Sequence, residues 1–150
     1  MSKLNIKNKK AFFNYEVIED EVAGMILKGS EVKSIIEGKI SFNDSYCDFI
    51  MDELWLKNFH ISEYEKATLE KHDPKGDRKL LLTKKQLIKF KKKYDERGLT
   101  IIPLRIFTNE RGLIKMEIGL CRGKKLYNKK DSLKEKDIDR ETKQKLVNNY

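Results

Sequence analysis

Proline and glycine are scarce, at 2 and 8 of 150 residues. No stretch therefore reads as a flexible linker, and the length suits one folded domain. Cysteine is scarcer than a disulfide framework or a zinc cluster requires: only Cys47 and Cys121 are present, far apart and without a CxxC pattern. Two reduced thiols fit a cytosolic protein. No apolar run approaches the length that crosses a bilayer. Met1–Lys10 is polar and basic and has no apolar h-region, so the chain is expected to stay in the compartment where it is made. Hydrophobic residues are only 39% of the chain, which implies a modest core under a large solvated surface.

Catalytic patterns are also missing. The two histidines, His60 and His72, belong to no HExxH or paired-ligand motif, and the chain has no GxSxG and no glycine-rich phosphate loop. Ser30, Ser34, Ser45 and the cysteines have no marked partner, and the carboxylates are interleaved with lysines as on a solvated face. The chain reads as a binding module rather than an enzyme, with no metal or cofactor. His60 reads as a hydrogen-bonded structural histidine.

What the chain has in excess is positive charge. Charged residues make up 38% and the formal net charge is +9. Such an excess attracts polyanions, nucleic acid being the commonest and an anionic membrane surface the alternative. Three basic clusters stand out: Lys7, Lys9 and Lys10; Arg78 and Lys79; and Lys124, Lys125, Lys129 and Lys130. Each lysine that neutralises a phosphate releases counterions and adds salt-dependent affinity. Tyr15, Tyr46, Tyr64 and Tyr127 add base stacking of roughly 1–3 kcal/mol each where exposed. Any one cluster taken alone reads better as solvation of a chain with few hydrophobic residues. Three of them together with the net charge favour RNA or DNA.

Ala11–Ile18 (AFFNYEVI) is aromatic and β-branched and reads as a strand, with Phe12 and Phe13 in the core. Glu19–Glu21 reads as a polar connection to a second apolar run, Val22–Lys28, in which Gly24 suggests a bulge or a close backbone approach. Ser30 is placed to cap a helix through Glu37 that ends at Gly38, with Val32, Ile35 and Ile36 on one face. Ser45–Met51 and Leu54–Ile61, around Asp52-Glu53, read as a hairpin carrying Trp55 and Phe59 into the core. Ser62–Asp77 reads as a loop, followed by the short apolar run Leu80–Leu82.

Thr83 and Gln86 have capping-box spacing for a helix ending near Gly98, with Leu87, Phe90 and Tyr94 on one side. Its other side carries Lys84, Lys85, Lys89 and Lys91–Lys93 and reads equally as an ordinary solvated face. Leu99–Thr108 and Leu113–Cys121 are two further strands around the turn formers Asn109–Gly112. The predicted fold class is mainly β with α: a small OB-like antiparallel barrel with flanking helices. Periodicity does not by itself choose that barrel over an open α+β sheet. Residues 1–122 form the expected barrel domain, and 123–150 a basic tail. The tail's sparse apolar residues cannot offset the entropy of ordering it, so it is expected to be disordered when free. Its Lys, Glu, Leu and Gln favour helix on a partner.

Several ordered strings then resemble one family. NKKAFFNYEVIEDEVAG (Asn8–Gly24), GSEVKSIIEGK (Gly29–Lys39), NDSY (Asn43–Tyr46), HISEY (His60–Tyr64), RKLLL (Arg78–Leu82) and PLRIFTNERGLIKMEIGLCRGKKLYNKK (Pro103–Lys130) are similar, in order, to the SsrA-binding proteins, also called small protein B. The resemblance covers nearly the whole chain from Asn8. It implies an OB-like barrel that binds the tRNA-like domain of transfer-messenger RNA and accompanies it to stalled ribosomes in the cytoplasm, for trans-translation and tagging of the unfinished peptide. Implied partners are that RNA, the small-subunit decoding centre and messenger channel, and elongation factor Tu with the charged RNA. A general single-stranded-RNA-binding OB protein is the alternative.

Carried over by position, Asn8, Lys9, Lys10, Tyr15 and Leu82 match positions of the family's RNA-binding face. Arg78, Lys79, Lys124 and Lys125 join them as basic contacts. Tyr127 and Lys129 match tail positions implied to contact the decoding centre, Tyr127 by stacking and Lys129 on phosphate, and Asn128 and Lys130 beside them are counted with that contact. The tail is implied to become helical on the ribosome. Three residues depart from the pattern: Val22 stands where many relatives have Glu, and Asn128 and Lys130 where they commonly have Asp and Arg. Lys130 keeps the charge without the planar fork of arginine.

Overall fold

The computed structural model describes residues 4–64, 66, 71–95 and 98–123. Its elements run β1 (Asn5–Lys7), α1 (Lys9–Asn14), β2 (Tyr15–Met25), α2 (Gly29–Ile36), β3 (Ile40–Ser41), β4 (Tyr46–Ile50), β5 (Glu53–Lys57), β6 (His60–Ile61), β7 (Arg78–Leu81), α3 (Lys84–Tyr94), β8 (Leu99–Thr108) and β9 (Ile114–Gly123). All strand pairs are antiparallel, and one sheet closes on itself in the order β8, β4, β5, β7, β2, β9 and back to β8. The ring answers the choice that periodicity left open. Closure satisfies the strand edges an open sheet would expose.

The long strands make closure possible. β8 pairs along one edge with β9, while its other edge takes Cys47 of β4 at Ile101 and then β1 at Arg105–Phe107. Bulges opposite β9, at Val17/Glu19 in β2 and at Pro103/Arg105 in β8, add local bend and twist. Pro103 has no N–H to donate, and a bulge is where a strand tolerates that loss. The ring encloses Leu54, Leu56, Phe59, Leu80, Ile101, Ile106, Met116, Ile118 and Leu120, all 2% exposed or less, and Phe90 of α3 joins them at 0%. Gly119 admits a neighbour: a Cβ there would stand 2.6 Å from Leu104 Cδ1.

The β8–β9 hairpin and α3 match the sequence reading, whereas the strand expected over Leu54–Ile61 is broken: β5 ends at Lys57, Asn58 takes a positive φ of 58°, His60–Ile61 pairs with β3 instead, and Trp55 is only half-buried. β4 and β5 are joined by Met51 and Asp52, both at positive φ (50° and 68°), as a two-residue type I′ turn requires. Thr83 Oγ1 accepts from Gln86 N at 3.1 Å, and the Gln86 side chain accepts from Thr83 N at 2.9 Å, closing the capping box.

Three further local expectations are corrected. Ala11–Asn14 is helical, not strand, because the Asn8 side chain accepts from Ala11 N at 3.3 Å and donates to Pro103 O at 2.8 Å, which pins a short helix across β8. Only Ala11 of that helix is buried; Phe12 and Phe13 are 43% and 77% exposed rather than in the core. Glu19–Glu21 is no connection but the middle of an eleven-residue β2. Its acids are held there by α3: Glu19 pairs with Lys89 at 3.0 Å and Lys93 at 3.1 Å, and Glu21 accepts from Gln86 at 2.9 Å. α2 begins at Gly29, and its buried side is Ser30, Glu31, Ser34 and Ile35, while Val32 is 36% exposed. Ser30 does not cap the helix; its hydroxyl meets His72 Nδ1 at 2.9 Å.

Candidate nucleic-acid interface

α1 supplies a raised platform. Its inner side rests on a small apolar cluster of Ala11, Ile102, Leu104 and Cys121, to which Tyr15 and Val17 add. Its outer side presents Lys9, Lys10, Phe12 and Phe13, all exposed. Lys7 is exposed just before it. Two cations beside two protruding aromatic rings combine phosphate attraction with a surface for bases. Asn8 is 8% exposed, with both ends of its amide engaged internally, so it builds this platform rather than joining its face. Tyr15 is half-buried, and burial, followed by the nearby Cys121, pushes its phenol above the ordinary range.

The register of β2 brings distant parts of the chain together. Tyr15 lies opposite Gly123 and Glu16 opposite Arg122, so β9 ends beside the end of α1. The sequence keeps Lys9 and Lys10 far from Gly123; the fold brings Gly123, the last described residue before the basic run, to the same pole. Lys124, Lys125, Tyr127, Asn128, Lys129 and Lys130 lie outside the described residues, as does the expected tail beyond 123.

The second basic cluster comes apart. Arg78 is 3% exposed; its Nε donates to Glu31 at 2.7 Å, Nη1 to Phe59 O at 2.6 Å and Nη2 to Asp73 O at 2.9 Å. All three sides of the guanidinium fork are engaged internally, so Arg78 is part of the framework and is not offered to RNA. Beside it His72, 5% exposed, bridges Ser30 and Ile61 O, its Nε2 standing 2.9 Å from that oxygen. The buried structural histidine is thus His72, from the segment read as loop. Lys79 faces outward in an ion pair with Glu53 at 2.8 Å. Leu82 is partly buried against the core, while Leu81 beside it is 47% exposed. Val22 and Ile26, at 46% and 54%, are exposed on the neighbouring strand and its continuation, and Gly24 pairs with Leu81.

The sequence reading missed Phe12 and Phe13. Their aromatic, strand-like run concealed the helix, and Asn8 followed three residues on by Ala11 was the only local sign of a cap. Of the other tyrosines, Tyr46 is 37% exposed, and Tyr64 lies under Lys33, whose Nζ is 5.6 Å from the ring centroid. Among the described residues no three His, Cys, Asp or Glu side chains group as a metal site. Both thiols are buried, and burial pushes the Cys47 thiol far up and that of Cys121 up to about 12, which leaves neither a ready nucleophile. No helix among the described residues is long and apolar enough to cross a membrane.

A closed antiparallel ring with a lysine- and phenylalanine-bearing platform at one pole defines a small β protein built to meet a polyanion. The family model described as SmpB protein matches residues 5–148. The SsrA-binding protein of Cytophaga hutchinsonii is 54% identical over 92% of this chain and 90% of its own length. That of Treponema denticola is 44% identical over 96% and 93%. A solved chain described as "tmRNA-SmpB: a journey to the center of the bacterial ribosome" superposes with a TM-score of 0.68 at 44% identity, covering 80% of this chain and 84% of that one. The chain belongs to the SmpB protein family.

Proposed function

We propose that this protein binds transfer-messenger RNA and carries it to stalled bacterial ribosomes in trans-translation, acting by recognition without bond chemistry. The carrying observation is family membership over residues 5–148, among relatives named SsrA-binding proteins. The exposed Lys9–Phe13 platform supplies the chemistry such binding needs. A folded RNA presents phosphates and unstacked bases, and is held mostly by shape and backbone contacts. Lys9 and Lys10 neutralise phosphates, Phe12, Phe13 and the open edge of Tyr15 receive bases, and Lys124 and Lys125, next in the chain after Gly123, add further charge. Lys79 adds a weaker contact, since Glu53 must release it first.

In this reading residues 1–122 grip the tRNA-like domain. Residues 123–150 enter the empty messenger channel, where Tyr127, Asn128, Lys129 and Lys130 meet the decoding centre and ordering of the segment reports vacancy. Elongation factor Tu accompanies the charged RNA, and work on ribosomes implies a cytoplasmic location.

A gel shift against the tRNA-like domain, with random RNA as competitor at several salt concentrations, tests the reading. The tRNA-like domain is expected to resist competition. Equal displacement by random RNA returns the protein to the class of general single-strand binders. Removing Gly123–Tyr150 is expected to leave RNA affinity largely intact and abolish rescue in a stalled-translation assay; loss of both together argues against divided roles.

A further inference from the structure

α3 carries charge that the fold does not use. Its sequence, KKQLIKFKKKY, has six lysines and no acid. A solvated helix face ordinarily interleaves opposite charges at i, i+4. Here Lys85 and Lys89, and Lys89 and Lys93, are like-charge neighbours at that spacing. Lys84 and Lys85 also occupy the first turn, where cations oppose the helix dipole.

The structure divides these lysines into two groups. Lys89 and Lys93 reach back to Glu19 at 3.0 and 3.1 Å, and Lys91 lies 5.3 Å from the Phe49 ring centroid. Lys84, Lys85 and Lys92 are exposed and make no ion pair among the described residues. With Ile88, 62% exposed between them, they form one outward stripe by i, i+3 and i+4 spacing. The stripe rises about 12 Å from Lys84 to Lys92, enough to follow about three successive phosphates of one strand.

The helix is also fixed in place. Gln86 donates to Glu21 at 2.9 Å, Phe90 is fully buried, and Tyr94 OH donates to Asp48 at 2.8 Å. Anchors near both ends and at the middle prevent α3 from turning its stripe away. A rigid run of cations loses less entropy on binding than lysines on a mobile loop.

We infer that the outward stripe of α3, Lys84, Lys85, Ile88 and Lys92, is a second RNA-backbone contact, separate from the α1 platform. The inference rests on the proposed transfer-messenger RNA binding and adds a surface to it. The lysines take phosphates, Ile88 packs on ribose, and the bound strand relieves the like-charge repulsion along the helix.

The test is a triple variant, Lys84→Ala, Lys85→Ala and Lys92→Ala, in the full chain. Its control removes equal charge elsewhere, through Lys66→Ala, Lys71→Ala and Lys75→Ala at exposed positions. Binding to the tRNA-like domain is measured across salt concentrations, with circular dichroism confirming the fold. The α3 variant is expected to lose about tenfold in affinity, and its plot of log K against log salt to become shallower by about 2. The control is expected to keep the wild-type slope. Equal losses in both variants, or none in either, overturn the inference. Failure of the wild type to prefer the tRNA-like domain over random RNA sinks the parent reading instead, and is read from a different arm.

Discussion

Arg78 shows how one side chain can carry opposite meanings in sequence and in space. In the chain it begins a basic pair ahead of a leucine run, which is how a phosphate contact looks. In the fold it is closed over by Glu31 and two carbonyls. Removing it leaves the Glu31 carboxylate, 6% exposed, without its cation. Arg78→Ala is therefore expected to cost about 3–5 kcal/mol in urea unfolding, while any protein that stays folded binds RNA as before. Tyr94 sets a second residue-scale expectation. Burial, then its hydrogen bond to Asp48, pushes its phenol from 10.0 up to about 12. Between those values the unfolded chain releases the proton first, so stability falls as pH rises through that window. Tyr94→Phe is expected to lower stability near neutrality but to flatten the decline between pH 10 and 12, read from urea midpoints. The buried thiols contribute their own alkaline loss in both proteins.

At the scale of elements, what was legible in the sequence is what local chemistry decides. The capping box of α3, the alternation of β4 and β5, and the turn between β8 and β9 need only neighbours a few residues away. The turn's Gly112 sits at φ 81°, and Asn109 Oδ1 accepts from Arg111 N and Leu113 N at 3.0 and 2.9 Å. α1 was illegible because its decisive contact, Asn8 to Pro103, spans 95 residues. Strand propensity in AFFNYEVI was real and was spent on β2 from Tyr15 onward. The buried polar side of α2 was hidden for the same reason, since Glu31 and Ser30 are inward only because Arg78 and His72 meet them. The β4–β5 turn offers a constructive test. Met51 and Asp52 both hold positive φ, and Met51 is 91% exposed. Met51→Asn with Asp52→Gly is expected to raise stability by about 1 kcal/mol, seen as a higher Tm.

For the whole molecule, ring closure turns a list of basic clusters into a geography. Of the three clusters read from sequence, the first stands on and just before the α1 platform, the second splits between a buried Arg78 and an outward Lys79, and the third lies outside the described residues, beyond the Gly123 strand end that pairs beside the first. No local rule reveals this, because the pairing of Tyr15 with Gly123 joins residues 108 positions apart. A protruding platform is expected to be functional and not structural. Phe13→Ala should leave the thermal midpoint unchanged, since that ring is 77% exposed. It should weaken RNA binding by roughly 1–3 kcal/mol in a gel shift. An unaltered affinity would return Phe13 to idle surface.

β8 has a practical corollary. Leu4 is tied to its far end, with Leu4 N donating to Thr108 Oγ1 at 3.0 Å and Thr108 N donating to Leu4 O at 3.1 Å, whereas Gly123 sits at the near end beside Leu99 and Tyr15. Ten residues of strand keep these points on the order of 30 Å apart. A dye attached just past Gly123 would crowd the end of α1 beside Tyr15, whereas one fused ahead of Leu4 would be held at the opposite end of β8, a short strand before Lys9.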